Sequence, residues 1–255
     1  MIFLDVQGTL LKDSDKSLIN GAKELIAWLN LKEIPYVIIT NNTKDLNFLQ
    51  NLRQKGLDIK ENAYIDPFFV LKQALKPCEV AAFGADEFIK ALQELGFVLD
   101  FKNPKALLVA SYDKFSFEDF ALMIELINKG VKLIAMHETS LYKKNNKAYP
   151  GVGAIMQMLH YATNAQYQVF GKPSQAFYEA ALKLLQKQNK EAKFSDILII
   201  SDDFKGDLTQ AKKMQMNIAL VLSGKITSTK NLDLKAEDKV YESVFDFLKE
   251  LQCKI

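Results

Sequence analysis

The stretch MIFLDVQGTLL, residues 1–11, decides the fold of this 255-residue chain. Its apolar first half ends in Asp5, and a turn residue, Gly8, follows within three positions. Such a run is typical of a buried strand that opens into a loop. A helix over about 20–31 and a second apolar run, YVII at 36–39, complete a predicted strand–helix–strand unit.

The same alternation returns in the last third of the chain. The predicted elements are a strand at 168–170, a helix at 174–188, a strand at 197–200, a helix at 207–214 and a strand at 218–222. Continuous apolar strands separated by helices indicate a parallel sheet that is covered by helices on both faces. We therefore predict a doubly wound α/β core.

A smaller α/β unit is predicted between these two halves. Its expected strands lie near 79–83, 106–110 and 132–135, and its expected helices lie near 85–95 and 116–128. No Pro-, Gly- or Ser-rich linker marks its borders. The predicted division is a core domain of residues 1–67 and 166–255, with an inserted cap domain of residues 68–165.

The charge balance argues against nucleic acid as a partner. Lys and Arg total 33 and Asp and Glu total 31, which gives a formal charge of +2. The lysine-rich stretch at 143–147 is therefore predicted to be a solvated loop. Arg53 is the only arginine, so lysine is the expected cation for any phosphate.

No membrane partner is expected, because no apolar run approaches the roughly 20 residues that span a bilayer. Cys78 and Cys253 lie far apart without a pairing motif, and the chain opens on a strand-like run without a basic leader. We expect reduced thiols and a cytoplasmic location.

Four polar clusters follow the expected ends of core strands. They are residues 5–9, 40–42, 171–173 and 202–207. An open parallel sheet binds its ligands at the carboxyl ends of its strands. Taken alone, each cluster is also explained as a helix cap, but their joint order predicts one functional site.

These clusters resemble the four motifs of the haloacid dehalogenase superfamily of phosphotransferases. The first motif, Asp-x-Asp-Gly-Thr, is present as Asp-Val-Gln-Gly-Thr at 5–9; the second is Thr40, the third is Lys172, and the fourth is Asp202 with Asp207. The ending Val-Leu-Ser-Gly at 221–224 and glycine-containing phrases in the insert are similar to the type IIA branch. That branch inserts an α/β cap and includes p-nitrophenylphosphatase-like enzymes.

The resemblance implies roles for the predicted catalytic residues. Asp5 would attack phosphorus and form an aspartyl-phosphate. Thr40 and the amides near Asn41 and Asn42 would hold phosphate oxygens, and Lys172 would offset their charge. The implied reaction is hydrolysis of a small phosphorylated metabolite.

The resemblance also implies a Mg²⁺ cofactor, since Mg²⁺ takes oxygen ligands and retains several waters. Asp5, the backbone carbonyl of Gln7 and Asp202 would bind the metal. Asp207 would orient its bound water. Asp203 would share that role, or would be a plain solvated acid.

Gln7 departs from the family pattern. Relatives normally have an acid there, although some have Ser; the acid protonates the leaving group and activates water, and an amide does neither. A positioned general acid–base contributes roughly 10²–10⁴-fold to the rate. Three hypotheses stay open: a phosphatase for leaving groups that need no proton, such as acyl phosphates, phosphoramidates or pyrophosphate; a slow monoesterase; and a module that binds a phosphorylated ligand without turnover.

The predicted cap loop at 135–139 also departs from the family, which usually has Ala-Thr-Asn-x-Asp there. His137 and Glu138 occupy the changed positions, so the family's substrates cannot be transferred to this chain. A solvent-facing His137 is expected, with a proton-donating His137 as the alternative. Caps of this kind often form dimer surfaces among relatives, and a homodimer through the cap is the corresponding expectation.

Overall fold

A computed structural model describes residues 1–144 and 147–254 of the chain. Two compact units are present. The first comprises Met1–Thr40, Asn47–Ile65 and Tyr178–Ile255, and the second comprises Asn41–Leu46 and Asp66–Phe177. The predicted insert, 68–165, lies within the second unit, which also includes residues 166–177.

Strands and helices alternate along the described residues. The strands are β1 (Ile2–Asp5), β2 (Tyr36–Ile39), β3 (Tyr64–Ile65), β4 (Glu79–Phe83), β5 (Val98–Leu99), β6 (Ala106–Val109), β7 (Lys132–Ala135), β8 (Leu141–Lys144), β9 (Lys147–Pro150), β10 (Tyr167–Val169), β11 (Leu198–Ser201), β12 (Asn217–Val221) and β13 (Lys239–Tyr241). The α-helices are α1 (Ala22–Leu31), α2 (Phe48–Gln54), α3 (Pro67–Ala74), α4 (Asp86–Glu94), α5 (Phe117–Asn128), α6 (Val152–Thr163), α7 (Gln175–Gln186), α8 (Thr209–Lys213) and α9 (Val244–Lys254). A 3-10 helix spans Phe194–Asp196, and a π-helix spans Phe204–Leu208.

The first unit contains a six-stranded sheet in the order β13-β12-β11-β1-β2-β3. Every pairing in it is parallel, and β1 lies between β11 and β2. All four residues of β1 are buried, as expected of a strand covered on both faces. The prediction of a doubly wound parallel α/β core is confirmed.

The helix after β1 shows why these elements form. Its buried residues recur at helical spacing, and they are Ala22, Leu25, Ile26 and Leu29. This stripe packs on the buried faces of β1 and β2 in the first unit's core, which also includes Phe247 of α9. The apolar stripe of α1 therefore packs against the strand that ends in Asp5 and helps to fix its position.

The second unit contains a five-stranded parallel sheet in the order β10-β7-β6-β4-β5. Helix α5 begins with a capping box, in which Ser116 and Asp119 satisfy each other's backbone N–H groups. Its buried residues pack with those of α6 against β6 and β7. The predicted smaller α/β unit is present as this second sheet and its helices.

One strand belongs to a different sheet from the one expected. The run at 168–170 was assigned to the core sheet, but β10 pairs in parallel with β7 of the second sheet, with Tyr167 opposite Leu133. As an edge strand with one neighbour, β10 has no sequence pattern that distinguishes the two sheets. Lys172 consequently follows a strand of the second unit.

The predicted helix at 207–214 also differs. Its first turn is the π-helix, because the N–H of Leu208 reaches back five residues to the Asp203 carbonyl, at 3.2 Å. The Asp203 side chain accepts the N–H of Gly206 inside that turn, at 2.8 Å. A side chain and its local turn therefore replace regular helix at this strand end.

Of the lysine-rich stretch at 143–147, residues 143, 144 and 147 lie in an antiparallel hairpin, β8 with β9, where a loop was predicted. Residues 145 and 146 of that stretch lie outside the described residues. Tyr142 stacks on Tyr149 across the hairpin, which explains the pairing.

None of the helices in the described part of the chain combines the length and the apolar character needed to cross a bilayer.

Candidate functional site

Three of the predicted site residues meet at the carboxyl edge of the first sheet. Asp5 ends β1, Thr40 follows β2, and Asp202 follows β11. The register pairs Asp5 with Ile39 and Leu4 with Ile200, so the three side chains follow adjacent strands. All three are nearly inaccessible, with exposures of 6%, 2% and 4% in chain order. The sheet thus concentrates two acids and a hydroxyl in one buried place.

The loop after β1 folds tightly around a single carbonyl. The carbonyl of Val6 accepts the N–H groups of Thr9, Leu10 and Leu11, at 2.9 to 3.3 Å. The turn requires a positive φ of 73° at Gly8, a conformation that favours glycine. The Thr9 hydroxyl returns to Asp5 and donates to its Oδ2 at 3.4 Å.

Two glycines leave the space that the Asp202 side chain occupies. A Cβ on Gly8 would lie 2.1 Å from Asp202 Oδ2, and a Cβ on Gly224 would lie equally close to the same atom. The backbones of these glycines also approach each other, since the Gly224 Cβ would lie 2.4 Å from Gly8 Cα. The Ser223 hydroxyl donates to the Gly8 carbonyl at 2.7 Å and joins the two loops.

Asp202 has a strongly perturbed acidity. Its burial, and then the negative charge of Asp5, raise the pKa of the Asp202 carboxyl well above its ordinary value. The backbone N–H of Lys225 donates to Asp202 Oδ2 at 2.5 Å and opposes that rise. Two buried carboxylates that disfavour each other's charge are suited to share a cation.

The remaining acids of the fourth cluster are held by hydrogen bonds. The Ser201 hydroxyl donates to Asp207 Oδ2 at 2.7 Å and accepts the N–H of Asp203 at 3.1 Å. Asp203, whose alternative was a plain solvated acid, forms an ion pair through Oδ2 with the Lys225 ammonium at 2.5 Å. These contacts fix both side chains next to Asp202.

Lys225 was not identified from the sequence. Burial lowers the pKa of its ammonium, but the charge and hydrogen bond of Asp203 raise it further, so the net shift is upward. The ammonium therefore stays charged beside the acids. Its signal in the sequence is its position after β12, a fourth strand end at the same sheet edge.

Tyr178 is a second residue that sequence reasoning missed. It is fully buried in α7 and stacks on Phe3 of β1, with ring centroids 6.4 Å apart. Burial, and then the charges of Asp207 and Asp5, raise the pKa of its phenol. A neutral ring therefore lies against the acidic cluster.

The Gln7 side chain faces a cation. Its Oε1 accepts a hydrogen bond from the Lys16 ammonium at 2.8 Å, and Lys16 lies 4.0 Å from Asp13. The loop that supplies Lys16 is closed by its own bonds, including Lys12 N–H to the Ser17 carbonyl at 2.9 Å. The amide at the usual acid position is thus oriented by a neighbouring lysine.

Asn41, Asn42 and Lys172, the other predicted site residues, lie in the second unit. Lys172 follows β10 and is 4% exposed. The Asn41 side chain accepts the N–H of Lys172 at 2.7 Å and donates to its carbonyl at 3.3 Å. The structure therefore brings Asn41 and Lys172 together, but through the backbone of Lys172.

The Asn42 side chain hydrogen-bonds to the backbone of the turn in which it lies. Its Nδ2 donates to the carbonyl of Asp45 at 2.7 Å, and its Oδ1 accepts the N–H of Lys44 at 3.3 Å. These bonds within four residues are those of an Asx turn. They stabilise the chain after β2, and a phosphate-binding role for Asn42 stays a prediction.

The burial of His137 differs from what the sequence predicted. It was expected to face solvent, but it is 5% exposed, because it follows β7 next to the end of β6. Its Nδ1 accepts the N–H of Thr139 at 3.3 Å, which assigns the ring proton to Nε2. The Nε2–H therefore donates to the Ser111 hydroxyl, 2.9 Å away.

Glu138 takes part in a separate hydrogen-bond chain. The Tyr167 hydroxyl donates to its Oε1 at 2.5 Å and accepts from Gln157 Nε2 at 2.7 Å. Burial, and then the Glu138 carboxylate, raise the pKa of Tyr167. The two residues of the changed cap loop are thus held by side chains of the same unit.

Two family models match the two ends of the chain. The model described as haloacid dehalogenase-like hydrolase matches residues 2–98, and the model described as HAD-hydrolase-like matches residues 169–251. Together they match more than half of the chain.

Curated relatives match most of the chain at low identity. The acid sugar phosphatase of Staphylococcus haemolyticus is 23% identical, over 93% of this chain and 90% of its own length. The human haloacid dehalogenase-like hydrolase domain-containing protein 2 is 26% identical, over 88% of this chain and 84% of its own length.

Solved structures have the same fold. The p-nitrophenyl phosphatase from Archaeoglobus fulgidus has a TM-score of 0.80, with 22% identity and 98% of each chain covered. NagD from E. coli K-12 has a TM-score of 0.75, with 19% identity and 96% of each chain covered. The fold, the order of the strand-end motifs and the matching models at both ends agree, and the chain belongs to the haloacid dehalogenase-like hydrolases.

Proposed function

We propose that this protein is a Mg²⁺-dependent phosphatase that hydrolyses a small phosphorylated metabolite through an aspartyl-phosphate on Asp5. The observation that supports it best is the buried pair of Asp5 and Asp202, at adjacent strand ends beside Thr40. Relatives named as phosphatases support the same reaction class. Their substrates are not transferred to this chain.

The donor set fits Mg²⁺. Two carboxylates and the backbone carbonyl of Gln7 are oxygen donors of the kind that Mg²⁺ takes while it keeps bound waters. When bound, Mg²⁺ would neutralise charge on the carboxylates and the phosphate.

Asp5 is the proposed nucleophile. One of its carboxylate oxygens forms a bond to phosphorus, while the bond from phosphorus to the leaving-group oxygen or nitrogen breaks and its electron pair leaves with that atom. Water then attacks phosphorus and releases inorganic phosphate and the Asp5 carboxylate. Thr40 would donate to a phosphate oxygen, and Lys172 would offset its charge.

Gln7 sets the proposed leaving-group preference. Its amide has no proton to transfer, and its Oε1 is already hydrogen-bonded to Lys16. A leaving group that departs as a stable anion needs no proton, so acyl phosphates and pyrophosphate should react faster than alkyl phosphates. The same contact supports the second candidate, a module that binds a phosphorylated ligand without turnover.

The decisive assay is phosphate release from acetyl phosphate, pyrophosphate, p-nitrophenyl phosphate and glycerol 3-phosphate, with Mg²⁺ or with EDTA. We expect Mg²⁺-dependent release that is fastest from acetyl phosphate or pyrophosphate and slowest from glycerol 3-phosphate. Release that is unaffected by EDTA contradicts the metal assignment. No release from any of the four supports the binding module.

Gln7→Asp tests the leaving-group argument. An acid at this position should raise kcat on glycerol 3-phosphate by about 10²–10³-fold and change kcat on acetyl phosphate by less than about tenfold. Gln50→Asp, at an exposed position on α2, is the matched control and should change neither rate. An equal gain on both substrates would contradict the proposed reason for the preference.

A further inference from the structure

The Asn41 side chain hydrogen-bonds to both the backbone N–H and the backbone carbonyl of Lys172, as the backbone of a neighbouring strand would. Its Oδ1 accepts the Lys172 N–H at 2.7 Å, and its Nδ2 donates to the Lys172 carbonyl at 3.3 Å. The two backbone groups differ in kind, one only a donor and the other only an acceptor, so they also define the orientation of the amide. One side chain therefore holds both polar groups of one residue's backbone.

The surrounding contacts leave Asn41 little capacity for a ligand. Its Nδ2 also lies 3.3 Å from the Thr139 hydroxyl oxygen, so both amide hydrogens have acceptors inside the protein. A phosphate oxygen binds hydrogen-bond donors, and the side chain of Asn41 has only two. The sequence-based role of Asn41 in holding phosphate is then left to its backbone N–H.

The segment before Lys172 is fitted closely against this amide. A Cβ on Gly171 would lie 2.6 Å from Asn41 Oδ1 and 2.5 Å from the carbonyl of Met136. The Lys172 carbonyl also accepts the N–H of Glu138, at 3.0 Å. Residues 171 and 172 are thus held from both sides beyond the end of β10, an edge strand.

We propose that Asn41 is a positioning residue that acts through Lys172 and does not bind the substrate with its side chain. This inference rests on the proposed function, in which the Lys172 ammonium offsets the phosphate charge. Lys172 is buried, so the location of its ammonium follows from the location of its backbone. A displacement of about 1 Å at a charge-stabilising group lowers turnover by up to about 10²-fold.

A double-mutant cycle distinguishes this role from direct substrate contact. Asn41→Ala should lower kcat by about 10–100-fold, and Lys172→Ala by about 10²–10³-fold. The double variant should be no slower than Lys172→Ala alone, because Asn41 then has no ammonium to position. Effects that multiply in the double variant would overturn the proposal.

Hydrogen exchange gives a readout that is independent of activity. Asn41→Ala should speed exchange of the Lys172 amide by at least about tenfold, and Asn41→Asp, which keeps an acceptor at that point, by less. Asn30→Ala is the matched control, since Asn30 donates to the Asp58 carbonyl at 2.6 Å in the first unit. It should change neither exchange at residue 172 nor kcat.

The two measurements separate the inference from the function on which it rests. If the wild-type chain releases no phosphate from any probe, the proposed function fails, and faster exchange at Lys172 in Asn41→Ala still supports the backbone contact. Unchanged exchange at Lys172 in that variant overturns the positioning role whatever the activity.

Discussion

The carboxyl edges of the two sheets bear polar clusters that are built in different ways. At the edge of the first sheet, charged groups lie close together and shift one another's pKa values. The charge of Asp5 raises the pKa of Asp202, and Asp203 raises the pKa of Lys225. In the second unit, the neutral side chains of Asn41 and His137 bond to backbone or hydroxyl groups, although the charged Lys172 and Glu138 follow strands of the same unit. Mutual perturbation of charges at the first edge is suited to chemistry, whereas these neutral hydrogen bonds of the second unit are suited to holding loops in place.

Asp5→Asn should have the largest effect, because it changes the acidic cluster at the edge of the first sheet. The loss of the nucleophile should lower kcat by about 10⁴-fold or more, measured as phosphate release. The metal-free variant should also unfold at a higher temperature, because one of two opposed buried charges is gone. Asp58→Asn, at an exposed position, is the control. Turnover within tenfold of wild type in Asp5→Asn would refute the nucleophile assignment.

Gly8→Ala should have the next largest effect. The new Cβ would overlap Asp202 Oδ2, so we expect kcat to fall by about 10²-fold and the free energy of unfolding to fall by about 2–4 kcal/mol. Gly130 is the matched control, since its φ of 84° is similarly positive but a Cβ there meets nothing within 4 Å. Gly130→Ala should cost only the backbone strain of about 1–2 kcal/mol and leave kcat unchanged. Equal effects would mean that Asp202 is not crowded.

Magnesium should stabilise the protein more as the pH rises. The pKa of Asp202 is raised in the folded state. At pH values above about 4, the ordinary pKa of a carboxyl group, the metal-free folded state therefore binds more protons than the unfolded chain. Its stability therefore falls as the pH rises through that window, and Mg²⁺, which needs both carboxylates ionised, offsets the loss.

Thermal unfolding midpoints at pH 5, 6, 7 and 8, with EDTA and with Mg²⁺, measure this effect. The shift caused by Mg²⁺ should grow by several °C across the series. Asp202→Asn should remove most of the shift and its pH dependence. A shift that shrinks toward pH 8 would contradict the assignment of the carboxylate pair.

Tyr167→Phe, a substitution in the second unit, should have the smallest effect of these changes. It removes the hydroxyl that joins Glu138 to Gln157, so the free energy of unfolding should fall by about 1 kcal/mol. Urea unfolding measures this loss. Phosphate release with saturating substrate should stay within about twofold of wild type, and a tenfold loss would place this hydrogen-bond chain in the chemistry.

The main strands were predictable because strands covered on both faces are continuous apolar runs, as in β1 and β2. The two-residue strands β3 and β5 depend on pairing with a neighbour and have no run of their own. The sheet of β10 was assigned wrongly because nothing local distinguishes its partner. The π-helix depends on the Asp203 side chain and was likewise out of reach.

The same limit applies to the site. The positions of Asp5, Thr40 and Asp202 followed from strand ends, since parallel strands bring their carboxyl ends to one edge. Lys225 was missed, although it also follows a strand of this edge, because it lies four residues beyond the end of β12 and its ion pair with Asp203 exists only in the folded chain. The contacts of Asn41 are decided by residues 131 positions away in the sequence, which no local pattern reports.

The pairing of β1 constrains the order in which the chain folds as it is synthesised. Ile2 pairs with Tyr36 and with Leu198, so the central strand of the first sheet gains its second neighbour only when residues almost 200 positions later have been translated. The strands of the second sheet all lie between Glu79 and Val169, and they are complete before β11 exists. Because domains form as units during synthesis, the second unit should fold first, while β1 and Asp5, the proposed nucleophile, stay on an unfinished sheet.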